Sequence, residues 1–280
     1  MDEHLRRAWD ALGLGPVWRL RDPAAIGAGD DVAASTAPDD PGPVDAPLGE
    51  APWSAPAAAE PARESVSEPE PDPVALARSA AEPSRRDPVI ARLPWPSLED
   101  AVAGCFACEL CRTRRNTVFG VGPRTARWML VGEAPGEQED ERGEPFVGPA
   151  GRLLDQMLAA IGVDRPAEAF IANVLKCRPP GNRNPQPGEV ARCEPYLLRQ
   201  VELIRPALIV ALGRFAAQSL LDTDASIASL RGRVHRFRAG EVEVPLVVTY
   251  HPAYLLRTLP DKAKSWADLR LARRTFDAMG

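Results

Sequence analysis

The sequence predicts an α/β fold: a three-layer α/β/α sandwich around a central, mainly parallel four-stranded sheet, preceded by a disordered N-terminal extension. Three observations carry that expectation. From about Leu98 onward, short apolar runs alternate with stretches of helical periodicity. The runs are apolar almost throughout, as strands covered on both faces are. Glycine or polar residues follow them, where an open parallel sheet gathers its ligands.

Taken in order, Asp2 to Leu12 carries apolar residues at helical spacing, and Gly13, Gly15 and Pro16 stop it before Val17-Trp18-Arg19-Leu20. Residues 1–22 therefore read as a short helical arm. Residues 23–95 read as a linker rich in proline, alanine and acid, for sixteen of the thirty prolines fall in the first hundred residues. Asp30 to Glu82 holds twelve acids against Arg63 and Arg78, and too few large apolar side chains to offset the entropy of ordering. Residues 96–280 form the folded domain. Its predicted strands are Trp128 to Val131, Phe170 to Leu175, Ala207 to Leu212 and Val244 to Tyr250. Its predicted helices are Leu153 to Ile161, Val190 to Ile204, Arg214 to Leu221 and a last one from about Asp261.

The linker's net charge of −10 within a total of −5 leaves the rest of the chain at +5, which admits a polyanionic partner without demanding one. Five cysteines are an odd number, and no charged-then-apolar leader with a small-residue cleavage site precedes them. Secretion with a disulfide framework is not expected, and the apolar runs are too short to span a membrane. The expected setting is the reducing cytoplasm, and the expected state a monomer.

The chemistry-bearing residues cluster at the strand ends. Gly132-Glu133 follows the first strand, Asn173 lies near the end of the second, Gly213 follows the third and His251-Pro252 the fourth. The turn Gly132-Glu133-Ala134-Pro135-Gly136 lacks the lysine and hydroxyl of a P-loop and the spacing of a dinucleotide fingerprint. Phe146 alone reads as core packing or as a stacking platform. Of the three histidines, His4 and His235 read as surface residues, whereas His251 is delivered to a strand end by Val247 to Tyr250.

Two cysteine pairs bracket this region, Cys105-x2-Cys108 and Cys177-x15-Cys193, and they meet only if the chain between them folds back. Spacing alone leaves a structural zinc and an iron–sulfur cluster equally open. Cys111 extends the first pair into a ferredoxin-like run, but no fourth cysteine follows closely.

Read together, several segments resemble the family 4 uracil-DNA glycosylases. They are Gly132-Glu133-Ala134-Pro135-Gly136, Glu139-Asp140, Pro145-Phe146-Val147-Gly148-x-Ala150-Gly151, Asn173-Val174-x-Lys176-Cys177-Arg178-Pro179-Pro180 and His251-Pro252-x-Tyr254-Leu255-Leu256-Arg257. The resemblance covers about residues 98–275. It implies a monofunctional glycosylase that starts base-excision repair by flipping uracil from DNA and stabilising the departing uracil anion. It also implies a structural [4Fe–4S] cluster on Cys105, Cys108, Cys177 and Cys193, with Cys111 left over.

In that likeness Asn173 pairs with O4 and N3–H of uracil, Phe146 stacks on the ring beside Gly132, and His251 donates to O2. Glu133 positions or activates the water, with Glu139 as runner-up. Leu255, Leu256 and Arg257 resemble a wedge entering the minor groove. Arg178, Arg183, Arg231 and Arg233 are candidate phosphate contacts. Two departures stand out: Ala134 and Gly136 replace the aspartate and tyrosine of family 1 enzymes, and Ala253 stands where many relatives carry serine.

Two other classes compete with the enzyme. One is a relative that binds uracil-DNA and cross-links to it, although residues 177–185 lack the histidine such relatives carry. The other is a non-catalytic cluster-bearing DNA-binding module, its extension tethering a repair or replication protein.

Overall fold

The computed structural model describes residues 87–279. The arm and most of the linker read from the sequence lie outside the described residues. Asp87–Ile90 forms a helical turn (α1) and Ile90 is buried, so the last residues of the stretch assigned to the linker are packed. The chain continues through α2 (Trp95–Ala103), β1 (Trp128–Gly132), α3 (Glu137–Arg142), α4 (Pro149–Ala160), α5 (Arg165–Glu168) and β2 (Ala169–Asn173). Then come α6 (Pro187–Ile204), β3 (Leu208–Leu212), α7 (Arg214–Leu221), α8 (Ile227–Leu230), β4 (Val234–Ala239) and β5 (Val242–Thr249). Two helices close the chain, α9 (Pro252–Arg257) and α10 (Lys262–Asp277).

The sheet has five strands in the order β2-β1-β3-β5-β4, not the expected four. β1, β2, β3 and β5 are parallel, and β4 adds an antiparallel edge by pairing with β5. β4 escaped the strand count because Arg236 and Arg238 alternate with Phe237 and Ala239 on a half-exposed edge, so no continuous apolar run marks it. On the neighbouring strand Glu243 pairs with both arginines at 2.8 Å.

Alternate side chains of the parallel strands feed two cores. Met129, Val131, Phe170, Ala172, Ile209 and Ala211 face α2, α6 and α7. Trp128, Leu130, Ile171, Leu208 and Val210 face α4 and α10. Helices on both faces of a parallel sheet make the three layers.

Register decides where the site lies. Ala172, Val131, Ala211 and Val248 share one rung, so Asn173, Gly132, Leu212 and Thr249 stand level on the next, where β1 still pairs with β2 and β3 with β5. All four parallel strands end level, and the turns that follow them surround one space. Among the described residues no helix is long and apolar enough to cross a membrane.

Candidate active site

The floor of that space is Gly132. A Cβ there would lie 2.4 Å from Asn173 Oδ1 and 2.9 Å from two carbons of the Phe146 ring, so the amide and the ring approach the strand end only because it is glycine. Asn173 is 2% exposed, and among the described residues its Oδ1 accepts no hydrogen bond. A buried acceptor without a donor is uncommon and aims at something other than the fold.

Phe146 holds a left-handed backbone, φ +55°, costly for a side chain of this size. The surroundings over-determine it. Glu139 Oε1 accepts from Val147 N at 3.0 Å and Gly148 N at 3.3 Å, while Arg165 donates to the Pro145 and Phe146 carbonyls at 3.1 and 3.3 Å. Arg165 is itself paired with Asp155. Gly151, in the first turn of α4, lies against the Phe146 carbonyl, and a Cβ there would fall 1.8 Å from the oxygen.

His251 caps α9. Its Nδ1 accepts from Ala253 N at 3.1 Å, which leaves the Nε2–H of the neutral ring to donate elsewhere. Burial, assisted by Arg257, pushes its pKa down to about 4. The ring stacks 5.5 Å from Phe146 at 29°. Gly213, φ +94°, makes room behind it, since a Cβ would meet His251 Cβ at 2.9 Å. Residues 132, 146, 173 and 251 are thus brought together at the strand ends.

Glu133 extends from the end of β1. Burial raises its pKa to about 7, and Arg214 at the start of α7 opposes the shift. The two candidate carboxylates therefore differ. Glu133 is desolvated, whereas Glu139 is bonded to the turn that carries Phe146.

Beyond β2 lies a cradle of thiols. Cys105 and Cys108 follow α2, Cys177 follows β2, and Cys193 sits on the buried side of α6. Cys177 feels the charge of Cys108 and Cys105, and Cys193 that of Cys177 and Cys105, so the four sulfurs are neighbours; Cys111 acts on Cys108 as well. Burial raises the pKa of Cys108, Cys177 and Cys193, the last to about 12. Arg114 donates to Cys177 Sγ at 3.1 Å, and the Lys176 backbone N–H donates to Cys193 Sγ at 3.2 Å. N–H donors aimed at two of the clustered sulfurs suit thiolates ligating a metal cluster. Among the described residues no three such side chains are grouped closely enough to hold a single metal ion. The donor set fits an iron–sulfur cluster.

The sequence model of the uracil DNA glycosylase superfamily matches residues 119–270. A type-4 uracil-DNA glycosylase of Archaeoglobus fulgidus is 49% identical over 167 residues, covering 57% of this chain and 83% of the relative. Relatives of the same description from Thermotoga maritima and Pyrobaculum aerophilum are 45% and 43% identical, each over 57% of this chain and 82% and 83% of their own length. The chain belongs to the family 4 uracil-DNA glycosylases.

In this family 4 chain the segment expected to be a wedge is a short helix, α9, and its leucines part ways. Leu255 is completely buried in the core between α4 and α10. Leu256 is 43% exposed, and Arg257 is exposed beside it. The four candidate phosphate contacts are also engaged. Arg231 pairs with buried Asp268 at 2.7 Å, Arg183 forks onto Glu189, Arg178 bonds Asn182 and Glu137, and Arg233 donates to the Ser229 carbonyl.

Sequence reasoning passed over Arg214 and Lys176. Arg214 carried no signal beyond its place after a strand-end glycine. Lys176 did carry one, as the sole charge in Phe170 to Cys177. It is 1% exposed, and burial lowers its pKa to about 8 against the pull of Cys193 and Cys177.

Proposed function

We propose that this protein hydrolyses the N-glycosidic bond joining uracil to deoxyribose in DNA, as a monofunctional glycosylase that opens base-excision repair. The observation that carries the reading is the unpartnered Asn173 Oδ1 beside the Phe146 ring. A flipped uracil offers N3–H and O4 side by side, so Oδ1 accepts from N3–H while Nδ2 donates to O4. Cytosine has no N3–H and presents an amino donor instead of O4. Leaving a buried acceptor empty costs about 1–3 kcal/mol, which uracil returns on binding.

Phe146 stacks on the extruded ring. As the glycosidic bond lengthens, negative charge grows on uracil O2, and the Nε2–H of His251 is the donor that meets it. The depressed pKa keeps that imidazole neutral, and the Ala253 N–H keeps its proton on Nε2. Glu133, poised near neutrality, takes the proton of the water that attacks C1′ and lends negative charge to the sugar cation. Glu139 acts through the turn it braces. Leu256 fills the gap left by the flipped base, with Arg257 at its side.

Cys105, Cys108, Cys177 and Cys193 would hold a [4Fe–4S] cluster, which when bound supplies a structural cross-link among the α2 loop, the end of β2 and α6. Their role is to hold the loops that face DNA.

One incubation with oligonucleotides containing single uracil, hypoxanthine or thymine residues tests the proposal. The expected result is free uracil and an alkali-labile site from the uracil strand, with Asn173→Asp relaxing the choice between uracil and cytosine. DNA binding without uracil release, or a heat-stable covalent adduct, would overturn it in favour of a binding module or a cross-linking relative.

A further inference from the structure

Lys176 has no part in the chemistry above, yet it spans the two halves of the site. Its ammonium is buried, and among the described residues it pairs with no carboxylate. Nζ donates to the Asn173 carbonyl at 2.9 Å and to Gln200 Oε1 at 2.7 Å. Gln200, also fully buried, is held in turn by its own donation to the Phe119 carbonyl at 2.9 Å. The backbone N–H of the same lysine donates to Cys193 Sγ at 3.2 Å, and its carbonyl accepts from Val118 N at 2.8 Å. One residue thus grips both the peptide of the amide that reads the base and a sulfur of the cradle.

The two grips belong to one residue: its backbone N–H is fixed on Cys193 Sγ and its Nζ on the Asn173 carbonyl, with Gln200 holding Nζ from the other side. A cradle whose sulfurs are fixed in place therefore fixes the Lys176 peptide, and Lys176 in turn sets the Asn173 peptide. A cradle whose sulfurs shift passes the displacement along the same bonds and leaves the Asn173 peptide less firmly set.

We infer that Lys176 is a positioning residue that couples the occupied thiol cradle to uracil selection by Asn173. The inference rests on the reading of Asn173 given under Proposed function. Because coupling is reciprocal, uracil in the pocket must in turn steady the cradle.

The test uses the iron-loaded full chain, with free uracil as the probe. Lys176→Met keeps the length and burial of the side chain and removes its donors. Per iron-loaded molecule, the expected result is uracil bound about tenfold more weakly, with KM for uracil-DNA raised and kcat little changed. The second readout is the rate at which a chelator bleaches the cluster absorbance. Saturating uracil slows bleaching in the unsubstituted protein and does not slow it in Lys176→Met.

Wild-type uracil affinity in the variant, equal slowing in both proteins, or purified protein without iron would each overturn the inference. Should Lys176→Met fail to fold, Gln200→Met carries the same test. It is expected to weaken uracil binding about threefold, and unchanged affinity would overturn the coupling. A wild-type protein that releases no uracil defeats the functional reading instead, before any variant is made.

Discussion

Asn173 and Asp140 are both 2% exposed, yet they belong to opposite kinds of structure. The Asp140 carboxylate accepts from Arg115 N at 3.0 Å and from Asn116 N at 3.3 Å, and Asn116 Nδ2 donates to the Asp140 carbonyl at 2.8 Å. Among the described residues Asn173 Oδ1 accepts from nothing. Burial is equal in the two places, and satisfaction is not. A satisfied buried acceptor welds the loop at 115–116 to α3, whereas an empty one in a shaped pocket is held ready for a ligand.

The contrast breaks if function and stability fail to separate along that line. The largest effect is expected from His251→Ala, a single-turnover rate about 100- to 1,000-fold lower, the cost of losing one donor to a developing anion. The melting temperature at pH 8 should fall by only about 2–4 °C, the cost of losing the α9 cap. Asp140→Ala is the counterpart: about 3 kcal/mol of stability, or roughly 6–12 °C in Tm, with the rate per folded molecule kept. A variant at residue 140 that slowed chemistry without lowering Tm would erase the distinction.

Protons sharpen it further. Glu133 must be ionised to act, so the rate should rise with pH, about tenfold per unit, and level off above about 7; Glu133→Gln should be slower and flat. The folded pKa of Glu133 lies above its ordinary 4.5, so its contribution to stability is whole below pH 4.5 and lost as pH rises through 7. Glu133→Gln should therefore melt higher than the parent above pH 7. His251 runs the other way. Its contribution is whole above pH 6.5 and is lost as pH falls towards 4, a loss that thermal melts of His251→Ala should not show. The smallest effect is expected at the rim, where Leu256→Ala should cost about 1 kcal/mol of DNA affinity and leave Tm unchanged.

Much of this was legible in the chain itself. The four parallel strands and the helices between them follow from runs buried on both faces, and helix Arg214–Leu221 falls where the periodicity placed it. Level strand ends explain why residues distant in sequence, Gly132, Asn173 and His251, meet. β4 was missed as a member of the sheet because an edge strand studded with Arg236 and Arg238 has no need of an apolar run. Leu255 and Leu256 were indistinguishable because adjacent residues on a helix point about 100° apart, and the sequence does not say which one faces inward. The tie from Glu139 back to Val147 and Gly148 was equally hidden. It depends on a carboxylate reaching across a turn whose shape no local pattern announces.

The left-handed Phe146 and the bare Gly151 behind it have a consequence for anyone re-tailoring the pocket. The ring cannot be exchanged as an isolated part, since its angle is set by a carbonyl that tolerates no methyl group five residues later. Libraries meant to broaden base choice should vary residues 145–151 and their braces, Glu139 and Arg165, as one cassette, because single changes at residue 146 will sample only rings this turn can already carry.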